Sequence, residues 1–209
     1  MTIGIAELGA VAVGLDRDAS LLAQAPTHEN LQFIEGDLLT IDFDSEFDIV
    51  ATARCLQWID TEKLPEAVRN LARAVRPGGV LVVVDYDHTS HTWVPDPPPE
   101  FRNFFNAFLR WRAANRWHNS IASELPRLIR EAGLSDIIVT PADEYAGPLD
   151  AGAVIWPHVL DSLGPQIVEG GFMTEAQSAA AVAVSRDWMR NVMTQQVLHL
   201  SAVEGRRPR

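Results

Sequence analysis

Two acids and a pair of histidines stand where this chain could do chemistry. Asp16 follows the apolar run Val11-Ala12-Val13-Gly14-Leu15 and precedes Arg17-Asp18-Ala19-Ser20-Leu21-Leu22, which can open a helix. An acid at the carboxyl end of a parallel strand in a doubly wound sheet is placed to accept two hydrogen bonds from vicinal ribose hydroxyls of a nucleoside-containing cofactor. Leu31-Gln32-Phe33-Ile34 repeats the pattern, ending on Gly36-Asp37 with Leu38-Leu39 behind. Such a pair could bracket a nucleoside, Asp16 on the sugar and Asp37-Leu38 beside the base. His88 and His91 follow a third apolar run, 80–84, and as imidazoles could take a proton from a hydroxyl or amine near neutral pH. Asp85 and Asp87 could orient them or solvate the loop. The competing reading is surface histidines in a polar loop; it is the stronger one for His91 and stands level with the base for His88.

Composition removes several other chemistries. Lys63 is the only lysine and sits at the start of an exposed-looking helix, so a Walker-type phosphate loop, a Schiff-base lysine and a Tyr-x-x-x-Lys dyad have no lysine to use. The six histidines are scattered and there is no cysteine pair, so no metal constellation is expected. A net charge of -11 argues against a nucleic-acid footprint, which needs clustered bases to neutralise phosphate. The one basic cluster, Arg206-Arg207-Pro208-Arg209, reads as a solvated tail. Cys55 is the only cysteine and reads as a small apolar group, which makes a reducing cytoplasm the simplest home. No apolar run approaches the ~20 residues that span a bilayer, so no membrane partner is expected.

The elements that must position these residues alternate between strand-like and helical patterns, the signature of a parallel α/β sheet. The 209 residues, 47% of them hydrophobic, suffice for one core of ordinary size and one domain. Strands are expected at 11–15, 31–35, 47–51, 80–84 and 137–139, and a last, antiparallel one at 196–202. Helices are expected at 18–24, 64–75 and 123–131; in the second, Leu64, Val68, Leu71 and Val75 share one face. Pro77 should stop that helix, and Gly78-Gly79 should allow positive φ in a turn before the next strand.

The order VAVGLDRDASLL, LQFIEGDLLTIDF, EFDIVATARCLQWI and LARAVRPGGVLVVVDYDH resembles class I S-adenosylmethionine-dependent methyltransferases, of the small-molecule type, over roughly residues 2–88. Arg76-Pro77-Gly78-Gly79 is similar to the Leu-x-Pro-Gly-Gly turn of that family. The resemblance implies a Rossmann-like α/β sheet of strand order 3-2-1-4-5-7-6, with S-adenosyl-L-methionine as cofactor and a small-molecule acceptor. It implies cofactor contacts from Asp16, Arg17, Asp37 and Leu38, and from Ala53 and Arg54, where family members line the cofactor pocket. His88 is the candidate catalytic base. The family's first strand and glycine-rich turn have no counterpart, and 2–10 looks like the second half of the helix after that turn, capped by Gly9. The expectation is therefore an N-terminally truncated sheet, from a fragment or a misplaced start.

Two helical insertions, 94–122 and 145–191, are expected to form an acceptor-side cap on the single domain. Phe101, Phe104, Phe105, Phe108 and Trp111 recur at three- and four-residue spacing, an aromatic helix face that packs against a neighbour or lies over an apolar acceptor. The second insertion carries Trp156 and His158, and a structural role alone fits it equally well. Three functions stay open: a small-molecule methyltransferase, a degenerate domain acting as partner or scaffold, and a nicotinamide-dependent dehydrogenase. The last is weakened by the single lysine and by the Pro-Gly-Gly turn. Oligomeric state is not legible.

Overall fold

In the computed structural model of the chain, residues 2–147 and 155–209 are described. Helix α1 (Thr2–Glu7) ends at Gly9, whose φ of 90° fits the expected cap. Strand β1 (Ala12–Asp16) then pairs in parallel with β2 (Leu31–Glu35), Asp16 lying opposite Glu35. The helix between them, α2 (Ala19–Leu22), is shorter than its pattern suggested; Asp18 caps it by accepting the Ser20 N–H. Strand β3 (Phe47–Ala53) leads through a 3-10 turn at Leu56–Trp58 to α3 (Leu64–Ala74), and β4 (Val75–Tyr86) runs parallel to β3.

After β4 come β5 (Thr92–Val94), α4 (Pro99–Ala114), α5 (Ile121–Glu131), β6 (Ser135–Pro141) and β7 (Glu144–Ala146). The chain closes with α6 (Ile155–Glu169), α7 (Glu175–Asn191), β8 (Gln195–Leu198) and β9 (Leu200–Arg206). The main sheet has the order β3-β4-β9-β6, with β9 antiparallel to both neighbours. With β2-β1 as a separate parallel pair, both sheets follow the order that the resemblance implies.

Three expectations are corrected. Arg76-Pro77-Gly78-Gly79 is not a turn ahead of the strand but a bulge inside it: Phe47 pairs with Val75, yet Ile49 pairs with Val80. Only Gly78 takes positive φ, 84°. Gly79 is there for closeness, since a Cβ would sit 2.6 Å from the Asp48 carbonyl oxygen. The last strand is two strands, broken at His199, because Asp143 takes the Leu200 N–H and the His199 ring while the His199 carbonyl accepts the Asp87 N–H. β8 consequently leaves for a small sheet, β5-β8-β7. Two of the C-terminal arginines are tied to the fold at its surface: exposed Arg206 donates to the Gly78 carbonyl, and half-buried Arg207 to that of Arg73, which also accepts the Ser45 N–H.

Two cores flank the sheet. Helices α3 and α5 cover one face, burying Leu64, Val68, Leu71, Leu125 and Ile129 against Leu81, Val83 and Val203. The opposite face carries the row Ala51, Val82, Glu204, Ile138, and there Ile49 and Ile138 are 65% and 56% exposed. The second core is aromatic. Helices α4, α6 and α7 gather Phe101, Phe104, Phe108, Trp156 and Trp188 beyond the carboxyl end of β4. The expected insertions supply these helices; residues 148–154 of the second lie outside the described ones. No helix of the described residues is long and apolar enough to cross a membrane.

Candidate functional site

The carboxyl ends of the parallel strands β1, β2, β3 and β4 bring the expected site residues to one edge of the fold. Asp16 closes β1, half-buried, and its Oδ1 accepts the Asp18 N–H at 2.9 Å. Its other carboxylate oxygen has no partner among the described residues, so it is free for a hydroxyl donor. Arg17 beside it is exposed. Asp37 lies just past β2, where its Oδ1 accepts the Leu39 N–H at 2.9 Å. It borders a cleft of about 280 Å³ walled by Leu15, Ile34, Gly36, Thr40 and Phe43. Gly36 makes room for this wall, since a Cβ there would meet Leu15 Cδ1 at 2.9 Å. Leu38 turns towards α3 instead, packing on that core while its carbonyl accepts Asn70 Nδ2.

Cys55 lies between the groups at this edge. Burial pushes its thiol up, and the charges of Asp85 and Asp16 add to the shift, so the ends of β1, β3 and β4 share one electrostatic neighbourhood. Ala53 is exposed at the end of β3. Arg54 follows at φ 57°, pairs with Glu144 of β7 and holds its guanidinium 5.5 Å from the Tyr86 ring centre.

A cavity of about 210 Å³ opens beside Arg54, lined by Tyr86, His88, His91, Phe108 and Trp156 among others. His88 and His91 are not surface groups: they are 6% and 9% exposed. Burial, with the Arg112 charge behind it, depresses His88 to about 2; burial and His199 depress His91 to about 4. With values this low both rings rest as neutral imidazoles, the form that can accept a hydrogen bond or a proton. The proton on His88 can be placed. Gln57 Nε2 donates to the Arg54 carbonyl, which turns Oε1 towards His88 Nε2 at 2.6 Å. An amide oxygen only accepts, so Nε2 carries the hydrogen and Nδ1 keeps a lone pair. Nδ1 has no partner among the described residues.

Beneath the cavity lie two buried charges. Asp85 is fully buried and is pushed up to about 6 by burial, although it accepts the Tyr86 and Gln57 N–H groups. Arg112, also fully buried, is lowered to about 10 by burial. It donates to the Gln57 carbonyl and to Asn119 Oδ1, and its guanidinium lies 4.7 Å from the Trp58 ring centre.

The structure thus joins Arg54 and His88 at one cavity and gives Asp37 a separate cleft, while Asp16 and Arg17 line neither hollow. Sequence reasoning missed Gln57, Tyr86 and Arg112. Arg112 left a signal: it continues the aromatic face of α4 four residues after Phe108, where a charge interrupts an apolar stripe.

A profile for the methyltransferase domain matches residues 1–79. The chain is 28% identical over 149 residues to an uncharacterized methyltransferase of Synechocystis sp., covering 70% of this chain and 65% of that one. It is 32% identical over 139 residues to a malonyl-[acyl-carrier protein] O-methyltransferase of Enterobacter lignolyticus, covering 65% and 52%. The chain therefore spans between about half and two thirds of the length of these curated relatives. Among solved structures it is similar to phosphoethanolamine N-methyltransferase 2 of Haemonchus contortus in complex with S-adenosylhomocysteine. The TM-score is 0.56 at 14% identity, over 99% of this chain and 46% of that one, a likeness of fold. Strand order, the acids closing β1 and β2, the matched domain and these relatives point the same way: residues 1–79 match a methyltransferase domain, and the chain has the Rossmann-like fold of S-adenosylmethionine-dependent methyltransferases.

Proposed function

We propose that the chain binds S-adenosylmethionine at the carboxyl ends of β1, β2 and β3 and that it methylates a small-molecule acceptor. The observation that carries this reading is the placement of Asp16 and Asp37 at the ends of two adjacent, paired parallel strands. The residues present fit the cofactor: Asp16 has a carboxylate oxygen to spare for the ribose, and the Asp37 cleft sets Leu15, Ile34 and Phe43 for a base's face beside the polar Glu35, Asp37 and Thr40 for its edge. Arg17, Ala53 and the Arg54 backbone complete the cofactor side, and Leu38 adds its backbone alone, its side chain being packed towards α3. When bound, S-adenosylmethionine supplies a methyl group on a sulfonium, already activated for displacement.

This chain's task is then alignment and exclusion of water. The helices α4, α6 and α7 cap the acceptor side with aromatic rings. His88 belongs to the acceptor site, but as a neutral ring whose Nδ1 accepts a hydrogen bond from the acceptor; burial removes the basicity that proton abstraction near neutral pH would need. The net charge of -11 disfavours a nucleic-acid acceptor, and the free thiol of Cys55 suits a reducing compartment.

Calorimetric titration with S-adenosylhomocysteine tests the cofactor assignment. Asp16→Ala should weaken binding about tenfold or more, the cost of a charge-assisted hydrogen bond. Equal affinity in the two proteins would remove Asp16 from the site.

A further inference from the structure

The cavity beside Arg54 carries more than a position for an acceptor. Resting on the reading above, we propose that it is a binding site for an uncharged, single-ring aromatic molecule bearing a hydroxyl, the acceptor class of this protein. Size comes first. About 210 Å³ exceeds the roughly 150 Å³ apolar cavity that holds benzene, and falls below the range of about 300–1,000 Å³ typical of drug-sized ligands.

The walls set the shape. Phe108 and Trp156 meet at 90° with centroids 5.9 Å apart, and His91 meets Trp156 at 76° and 6.1 Å. Rings that meet edge to face line a slot for a flat guest, and aromatic pairs favour offset or edge-on contact. Val159, Leu163 and Leu198 close the remaining side.

Polar atoms without partners set the chemistry. His88 Nδ1, both ring nitrogens of His91 and Trp156 Nε1 are buried and unpaired among the described residues. These three residues line the cavity and are 6%, 9% and 4% exposed. Buried polar groups in folded proteins are nearly always satisfied, so four such atoms around one hollow call for a guest that both donates and accepts. A hydroxyl does both: its oxygen accepts from an indole or imidazole N–H, and its hydrogen goes to a bare imidazole nitrogen.

Charge excludes the alternatives. No carboxylate lines the cavity among the described residues, and two guanidinium groups already sit over its aromatic faces, Arg54 on Tyr86 and Arg112 on Phe108. An ammonium guest would meet positive potential where an aromatic cage would need free ring faces. A carboxylate guest would have to displace Glu144 from Arg54.

The test uses the full chain and four probes, 4-methylphenol, cyclohexanol, benzylamine and benzoate, followed by tryptophan fluorescence and calorimetry with and without S-adenosylhomocysteine. The phenol should bind at least tenfold more tightly than each of the others. Trp156→Phe keeps the ring and removes the N–H, and should weaken the phenol about fivefold; Leu163→Phe, which fills the hollow, should abolish its binding. Equal affinity for cyclohexanol, tighter binding of benzylamine or benzoate, or a phenol affinity indifferent to both variants would overturn the assignment. The two readings fail separately. Phenol binding without S-adenosylhomocysteine binding would leave the cavity assignment standing and sink the cofactor reading, and the reverse would sink only the cavity.

Discussion

Gln57 decides what His88 can do. Its amide is pinned by the Arg54 carbonyl, so its oxygen takes the Nε2 hydrogen and leaves Nδ1 as an acceptor. Gln57→Leu keeps the bulk and removes that partner, so a second ring nitrogen loses its bond in a buried place. The expected cost is about 1–3 kcal/mol in denaturant unfolding, with the Nε2–H tautomer losing its dominance in ring nitrogen NMR shifts. Little of this was legible in the sequence. Asp16 and Asp37 could be read because an acid closing an apolar run is a local pattern, and His88 because it follows one. That His88 would be neutral depends on Phe108, Arg112 and His91, which reach it from two other elements.

At the scale of elements, the α3–β4 junction holds a very tight backbone approach at a glycine. Gly79→Ala would press a methyl group against the Asp48 carbonyl and Val75 Cγ1, 2.6 and 2.8 Å away, so the bulge must shift and its registry with β3 with it. A loss of about 1–3 kcal/mol is expected by thermal or urea unfolding. Helix α7 depends on a capping box, Thr174 with Gln177, and Thr174→Ala should cost about 1 kcal/mol by the same measurement. The existence of strands and helices was legible because periodicity is local, down to the covering face of α3. The split between β8 and β9 was not, because the break at His199 is set by Asp143, 56 residues away in sequence. The bonds of Arg206 and Arg207 escaped for the same reason: the carbonyls they reach, Gly78 and Arg73, are more than a hundred residues away in sequence.

Over the whole molecule, the paired β1 and β2 stand apart from the four-stranded sheet. A two-stranded unit is marginal alone, so amide exchange in β1 and β2 should run well ahead of that in β4 and β9. Acid is a second global stress. The two histidines have folded-state values below their ordinary one, so their contribution is present above about pH 6.5 and lost as pH falls; Asp85, raised to about 6, favours the fold in the opposite direction. Going from about pH 7 to about pH 5 should cost about 2 kcal/mol per histidine and return about 1 from Asp85, a net loss of about 3 kcal/mol in chemical denaturation. Among the described residues β3 is an edge strand of the main sheet, which gives that titration a colloidal side. Unpaired backbone flanked by an exposed Ile49 is a template for strands of other molecules, and the surplus of 28 acids over 17 bases keeps copies apart by repulsion at neutral pH. Acidification lowers that net negative charge as the fold loosens, so clouding on acidification, suppressed by dilution, should precede complete unfolding.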